Sequence, residues 1–131
     1  MPLHSPSPML HQPIWHRRWG WLWAGLMLVV GVLALTPGDA ALAMGSSDKL
    51  NHLLAFAALA ATGALATRGV PSAWLKLSVG LLIYGGLIEL AQRHVPGRSG
   101  DWADVLADGV GVSLGLGVVV LLRRGWQQRA S

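Results

Sequence analysis

Apolar residues occupy four long runs of the 131-residue chain, and short polar segments separate these runs. The runs cover residues 19–35, 50–67, about 74–92 and about 102–122. Each is close to the ~20 residues that an α-helix needs to cross ~30 Å of hydrocarbon. No run alternates between apolar and polar residues, as the strands of a membrane barrel do. The pattern predicts an all-α integral membrane bundle of four transmembrane helices.

Each apolar run is followed by residues that end or interrupt a helix, because proline lacks a backbone N–H and glycine weakens the helix. These residues are Pro37-Gly38, Gly69-Val70-Pro71, Pro96-Gly97 and Arg123-Arg124-Gly125. Residues 1–18 are rich in Pro, His and Ser, and we expect them to be a disordered cytoplasmic tail. The transmembrane domain then covers residues 19–123, and residues 124–131 form a short cytoplasmic tail.

A secretory signal peptide is a second interpretation of the first run. Arg17 and Arg18 would form its basic start, and Ala41-Leu42-Ala43 resembles a small-residue cleavage site. The run is long for a signal peptide, and this site lies well beyond its end. A membrane span is therefore the preferred prediction.

Charged residues divide between the two sides of the predicted bundle. With the N-terminus inside, the inner side holds seven of the ten Lys and Arg residues: Arg17, Arg18, Arg68, Lys76, Arg123, Arg124 and Arg129. The outer side holds Lys49, Arg93, Arg98 and all six acidic residues: Asp39, Asp48, Glu89, Asp101, Asp104 and Asp108. Because cytoplasmic loops carry an excess of Lys and Arg, both termini are predicted to be cytoplasmic.

The composition agrees with a membrane protein and excludes several other classes. Charged residues make up 12% of the chain, about half of the usual fraction in soluble domains. The formal charge is +4, but the basic residues lie in small groups between apolar runs, so nucleic-acid binding is not expected. The chain has no cysteine, which excludes disulfides, thiolate metal sites and cysteine nucleophiles.

Small residues recur on the predicted spans at helical spacing. In lipid, close approach of small side chains holds helices together, because lipid tails are as apolar as leucine. Gly111 and Gly115 lie four residues apart on the fourth span, and Gly85 lies on the third. The Gly111 and Gly115 face could pack helices within one chain or join two chains in an oligomer.

Glu89 lies inside the third span, about two turns before Pro96 and so ~10 Å below the outer surface. A carboxylate at such a depth costs ~3 kcal/mol unless it is paired or protonated. Gln92 and Arg93 follow on the same helix face. Either Arg93 pairs with Glu89 and only anchors the helix, or Glu89 and Gln92 belong to a functional site.

Polar residues of the second and fourth spans enter the membrane at a similar depth. His52 lies one turn after Asp48, and Ser47 is a candidate helix cap. For Asp101 and Asp104, capping of the fourth helix is as good an explanation as a role in a functional site. Asp108 lies too deep for capping and needs a partner within the bundle.

The link between the third and fourth spans is short, so these helices are predicted to be antiparallel neighbours. Glu89 would then lie at the depth of Asp104 and Asp108. Arg98, in this link, could bind an outer-leaflet phosphate or bridge Glu89 and Asp104. The sequence leaves both alternatives open.

Three motifs and two glycines occur in order: Asp48-Lys49-x-x-His52-x-x-x-Phe56, Glu89-x-x-Gln92, Pro96-Gly97-Arg98-Ser99-Gly100-Asp101 with Asp104, and then Gly111 and Gly115. In this order they resemble the VanZ-like family of small bacterial membrane proteins. The resemblance covers residues 48–115 and departs at Asp108, where the family commonly has Asn. It implies a multi-pass protein of the bacterial cytoplasmic (inner) membrane. The family's founding member is associated with lowered susceptibility to the glycopeptide teicoplanin, which implies a role in the cell envelope.

The preferred functional prediction is a non-enzymatic envelope factor that binds a lipid head group or a lipid-linked cell-wall precursor in the bilayer. The candidate binding residues are Asp48, Lys49, His52, Glu89, Gln92, Arg98, Asp101, Asp104 and Asp108. No cofactor and no metal are part of this prediction.

Three alternatives remain. An intramembrane enzyme acting on a lipid-linked phosphate or peptidoglycan substrate would use Glu89 or His52 as its acid or base, although no activated nucleophile is evident. A Zn or Mn site would use an imidazole and carboxylates: His52, Glu89, Asp104 and Asp108. In the last alternative, the charged residues only fasten the helices together.

Overall fold

The structure, a computed structural model, describes residues 13–38, 47–67 and 69–131. These residues form four α-helices: α1 (Pro13–Ala34), α2 (Asp48–Ala66), α3 (Pro71–Gln92) and α4 (Trp102–Ala130). Strands are absent from the three described ranges, so the all-α prediction is confirmed for them. Residues 1–12, Asp39, Arg68 and the candidate cleavage site Ala41-Leu42-Ala43 lie outside the described residues.

Both ends of the described bundle are more helical than predicted. Helix α1 begins at Pro13, so the prediction of a disordered tail is wrong for residues 13–18. Proline suits the first helical position, where no N–H donor is needed. Helix α4 continues to Ala130, although Arg123-Arg124-Gly125 was expected to end it. One glycine costs a helix only ~1 kcal/mol and leaves the backbone hydrogen bonds intact.

Side-chain caps define where two of the helices begin. Ser47 Oγ accepts a hydrogen bond from the Leu50 N–H at 3.1 Å, as predicted for the start of α2. Asp101 Oδ1 accepts one from the Ala103 N–H at 2.9 Å and caps α4. Each cap satisfies a backbone donor that has no partner within the helix.

Helices α2, α3 and α4 are each long and apolar enough to cross a membrane, with mean hydropathies of 1.3, 1.5 and 2.2. The protein is therefore a membrane protein by the length and composition of these helices. Helix α1 is not among the three. It exposes apolar side chains such as Leu28 along its length, but a fourth span and the orientation of the termini stay predictions.

Helix α2 lies at the centre of the bundle and contacts each of the other three helices. Against α4, the contact is close because Gly111 faces the Leu53 carbonyl and Gly115 faces the Ala57 carbonyl. A Cβ atom at either glycine would overlap with these carbonyl groups. The two glycines thus serve packing within the chain, and association of two chains stays a prediction.

Candidate functional site

Four of the predicted site residues form a buried cluster between α2, α3 and α4. His52 is 6% exposed, and the three carboxylates Glu89, Asp104 and Asp108 are at most 2% exposed. We call His52, Glu89, Asp104 and Asp108 the buried cluster. The depth argument predicted that Glu89 and Asp108 need partners, and the fold brings them together with His52 and Asp104.

His52 is the centre of the buried cluster. Its Nδ1 lies 2.8 Å from Asp108 Oδ1, and its Nε2 lies 3.5 Å from Glu89 Oε1. The ring stacks nearly parallel to Phe56, at 6.3 Å between centroids, which holds its plane. Gly85 makes room for Asp108, since a Cβ atom at this position would overlap with Asp108 Oδ2. The histidine thus connects a carboxylate of α4 to one of α3.

Glu89 also holds the start of α4. Its Oε2 accepts a hydrogen bond of 2.7 Å from the Asp101 N–H. Within the residues that the structure describes, Glu89 forms no ion pair with Arg93, whose guanidinium stacks on Trp102 at 5.4 Å. The anchoring Glu89–Arg93 pair is therefore wrong, because the loop after α3 turns the Arg93 side chain toward the outside of α4.

Lys49 and Asp101 form the exposed rim of the buried cluster. Lys49 Nζ lies 3.0 Å from Asp101 Oδ2 and 3.5 Å from Asp104 Oδ1. The Ala103 N–H and the Lys49 ammonium hold the pKa of the Asp101 carboxyl below its usual value. A hydrogen bond or a positive charge favours the ionised carboxylate. Asp101 therefore stays a carboxylate at neutral pH, both as a helix cap and as a partner of Lys49.

Arg98 fastens the loop after α3 to α1 and α2. Its Nη1 donates to Asp48 Oδ1 at 2.8 Å, its Nε to the Thr36 carbonyl at 3.1 Å, and its Nη2 to the Leu33 carbonyl at 3.3 Å. A bridge from Arg98 to Glu89 and Asp104 is therefore wrong. The last carbonyls of a helix have no intrahelical donor, and a guanidinium satisfies several of them at once.

Gln92 strengthens the same junction between α3 and the end of α1. Its Nε2 donates to the Ala34 carbonyl at 2.9 Å, and the Gly38 N–H donates to the Pro96 carbonyl at 3.0 Å. The side chain of Gln92 is 1% exposed. Gln92 and Arg98 together close one end of the bundle over α1.

A cavity of about 240 Å³ lies beneath this junction, between α1, α2 and α3. Apolar side chains form most of its wall, including Val30, Leu33, Leu54, Phe56 and Ile88. One end is polar, and the residues there are Asp48, Asn51, His52, Gln92 and Arg98. The cavity therefore has an apolar part and a polar part, which suits an amphipathic ligand. His52 belongs to both the cavity and the buried cluster.

The family model described as VanZ/LLP1 matches residues 5–123. The chain belongs to the VanZ/LLP1 family. This match confirms the resemblance and corrects its extent, since the first helix had been placed outside the 48–115 region. The VanZ/LLP1 chain matches no curated protein and no solved structure.

Several buried acceptors of this VanZ/LLP1 protein receive no hydrogen bond from the described residues. They are Glu89 Oε1, Gln92 Oε1, Asp104 Oδ1 and Asp108 Oδ2. One ligand atom from each of Asp48, His52 and Asp104 also lies within 4.8 Å of the others. Carboxylates and imidazole are ligands for divalent ions, so Asp48, His52 and Asp104 have the donor types of a metal site.

Sequence reasoning missed some contacts that build this VanZ/LLP1 site. The Leu33, Ala34 and Thr36 carbonyls accept from Arg98 and Gln92, and a backbone carbonyl has no signature in the sequence. Tyr84 donates to the Met27 carbonyl at 2.6 Å and ties α3 to α1. The signal available there was that Tyr84 is the single tyrosine of the chain and lies inside an apolar span.

Proposed function

We propose that this VanZ/LLP1 protein is a non-enzymatic envelope factor of the bacterial cytoplasmic membrane that binds a phosphate-bearing lipid. The observation that carries the proposal is the cavity between α1, α2 and α3, with an apolar wall and one polar end. A membrane lipid has the same division between acyl chain and head group. A lipid held in this way would change the envelope surface that glycopeptides reach.

The size of the cavity supports partial enclosure of a lipid. Its volume of about 240 Å³ is below the ~300–1,000 Å³ of sites that enclose a drug-sized ligand. Leu33 and Leu54 lie on its wall and are 51% and 58% exposed, so the wall continues to the outer surface of the bundle. The head group and the first carbons would occupy the cavity, and the rest of the chain would lie in the bilayer.

The polar end offers both donors and acceptors to a head group. Arg98 uses three of its five N–H groups for Asp48 and two carbonyls, which leaves two for phosphate oxygens. Gln92 Oε1 lacks a donor among the described residues and can accept from a hydroxyl or ammonium group. Glycerophospholipids and polyprenyl-linked cell-wall precursors share this phosphate chemistry.

The proposed orientation places the polar end of the bundle in the outer leaflet. Seven of the ten Lys and Arg residues then lie on the cytoplasmic side, and both termini are cytoplasmic. Helix α1 completes the bundle as a fourth span.

Lipid binding is tested with purified protein in micelles of dodecyl maltoside, a detergent that carries no phosphate. Phosphatidylglycerol or undecaprenyl phosphate is added, and retention is measured by native mass spectrometry. Ala55 lines the cavity, so Ala55→Phe fills it and is expected to weaken binding at least tenfold. Ala58→Phe makes the same change at an exposed position of α2 and is expected to bind as the wild type does. Equal binding by both variants would contradict the proposal, and the two lipids distinguish membrane phospholipid from cell-wall precursor.

An intramembrane enzyme is the second candidate, because His52 is held by Asp108 at 2.8 Å. A carboxylate at one ring nitrogen orients the histidine so that the other can accept a proton. Glu89, 3.5 Å from that nitrogen, would be its acid or base partner. Release of phosphate or pyrophosphate from a lipid-linked substrate by wild-type protein, with none released by His52→Gln, would favour the enzyme over the binding protein.

A further inference from the structure

We infer that a divalent transition-metal ion binds at the buried cluster, held by His52 Nε2 and the carboxylates of Asp104 and Asp48, with Glu89 Oε1, 3.5 Å from His52 Nε2, as a further ligand. This inference does not depend on lipid binding. It rests on the charge balance, the unpartnered oxygens and the tautomer of one histidine.

The charge balance of the buried cluster calls for a cation. Glu89, Asp104 and Asp108 are each at most 2% exposed, and His52 is the basic residue among them. Lys49 reaches Asp104 Oδ1 at 3.5 Å, but its side chain is 58% exposed and lies at the rim. Three carboxylates buried in a membrane are costly unless cations neutralise them. One lysine at the edge leaves the interior of the cluster without a full positive charge.

Two buried carboxylate oxygens in the cluster lack a hydrogen-bond donor among the described residues. Glu89 Oε1 and Asp104 Oδ1 are buried and accept no hydrogen bond from the described residues. The other oxygen of Glu89 is already used by the Asp101 N–H. Buried polar atoms in folded proteins nearly always have a partner. An ion bound at His52 Nε2 would supply a partner for these oxygens.

His52 is held so that one ring nitrogen is available as a ligand. Nδ1 lies 2.8 Å from Asp108 Oδ1, and a hydrogen bond to a carboxylate there places the ring proton on Nδ1. The lone pair of Nε2 then faces Glu89 Oε1, 3.5 Å away. Histidines that bind metals commonly donate their other N–H to a carboxylate in this way. Asp108 therefore acts as the positioning residue for His52.

The spacing of the donors fits an ion after a small contraction. One ligand atom from each of Asp48, His52 and Asp104 lies within 4.8 Å of the others. Ligands ~2.1 Å from an ion lie ~3–4 Å from one another, so side-chain shifts of about 1 Å are sufficient. One imidazole with several carboxylates is a donor set suited to Zn²⁺ or Mn²⁺. The ion would also fasten α2, α3 and α4 together at one end.

The test uses the full chain, purified with its affinity tag removed and stripped of metal by a chelator. It is then equilibrated with Zn²⁺ or Mn²⁺, and bound metal is measured by inductively coupled plasma mass spectrometry. We expect one ion per chain, and at least a tenfold loss of affinity in Asp104→Asn and in His52→Gln. Asp108→Asn should lower affinity about tenfold to 100-fold, because it acts through the histidine.

Two controls separate this site from others in the chain. His94→Gln removes an exposed imidazole outside the cluster and should bind metal as the wild type does. Lys49→Met removes the competing ammonium and should raise affinity. X-ray absorption of the wild-type complex should show one imidazole ligand, a readout that does not require any variant to fold. Binding of less than 0.1 ion per chain, or unchanged binding in folded His52→Gln, would overturn the inference.

Discussion

A buried carboxylate in this protein obtains partners from a neighbouring helix rather than from its own. Glu89 contacts His52 of α2 and the Asp101 N–H at the start of α4, although Arg93 lies one turn further along the chain, directly after α3. Asp108 likewise pairs with His52 across α2 and α4. A buried carboxylate that is paired with a residue of another helix also determines how the two helices pack. The cost of buried charge therefore acts on packing as well as on chemistry.

The Asp108–His52 hydrogen bond leads to a prediction about single residues. Asp108→Asn keeps an oxygen that can accept from His52 Nδ1, and it should lower the free energy of unfolding by less than about 1 kcal/mol. Asp108→Ala leaves the buried ring nitrogen without an acceptor and should cost about 1–3 kcal/mol. Unfolding in mixed detergent micelles, followed by tryptophan fluorescence, measures both. Equal losses would show that the hydrogen bond to His52 is not what Asp108 contributes.

Depth in the membrane was enough to select the important side chains, but it could not pair them. His52, Glu89 and Asp108 were selected because each lies too far inside a span to be left without a partner. Which of them meet depends on the rotation of each helix about its axis, and short loops do not determine this rotation. Arg98 shows the limit most clearly, since two of its three acceptors are backbone carbonyls, of Leu33 in the last turn of α1 and of Thr36 just beyond it.

At the scale of the helices, contact between α2 and α4 depends on the absence of side chains. Gly111 and Gly115 lie against the Leu53 and Ala57 carbonyls, and this close approach brings Asp108 within reach of His52. The four-residue spacing of the glycines predicted such a contact but not which helix would be the partner. Packing of α4 on α2 is thus a condition for the buried cluster.

The close contact predicts opposite effects for two glycine substitutions on α4. Gly111→Ala places a Cβ against the Leu53 carbonyl and should destabilise the fold by about 1–3 kcal/mol. Gly117→Ala meets no atom within 4 Å and should be neutral or stabilising by up to ~1 kcal/mol, because alanine favours a helix. The same unfolding measurement compares the two variants. A Gly111→Ala protein as stable as Gly117→Ala would contradict the close packing of α4 on α2.

Helix ends were predicted less well than helix centres. The expected tail at residues 13–18 is helical, and α4 extends past Gly125 to Ala130. Both predictions were wrong because they placed the end of a helix where apolar residues give way to polar ones. A helix that leaves the hydrocarbon can continue in water with polar residues, because its backbone hydrogen bonds do not depend on lipid. Hydropathy therefore marks the membrane boundary rather than the helix boundary.

On the scale of the whole molecule, the two ends of the bundle differ in chemistry. The nine candidate binding residues all lie at the end that contains the α3–α4 loop. At the opposite end, Arg123 donates to the Ala64 and Thr67 carbonyls and stacks on Trp74 at 5.2 Å. One end thus carries the described carboxylates, several basic residues and the cavity, and the opposite end has basic but no acidic side chains among the described residues. This asymmetry agrees with a protein that acts on one face of the membrane.

The charge asymmetry predicts the orientation of the chain. Green fluorescent protein fused after Ser131 should fluoresce, and alkaline phosphatase fused there should be inactive, because both report a cytoplasmic C-terminus. Phosphatase fused after Gly97, in the loop beside the candidate site, should be active. Active phosphatase at Ser131 would contradict the assignment and place the site on the cytoplasmic side.

A single buried cluster couples α2 to α4, and a double-mutant cycle measures that coupling directly. Free energies of unfolding are determined for the wild type, His52→Ala, Asp108→Ala and the double variant. We predict that the loss in the double variant is smaller than the sum of the single losses by about 1 kcal/mol or more. Losses that add to within about 0.5 kcal/mol would show two independent residues, and would contradict a shared site at the end of the bundle that contains the α3–α4 loop.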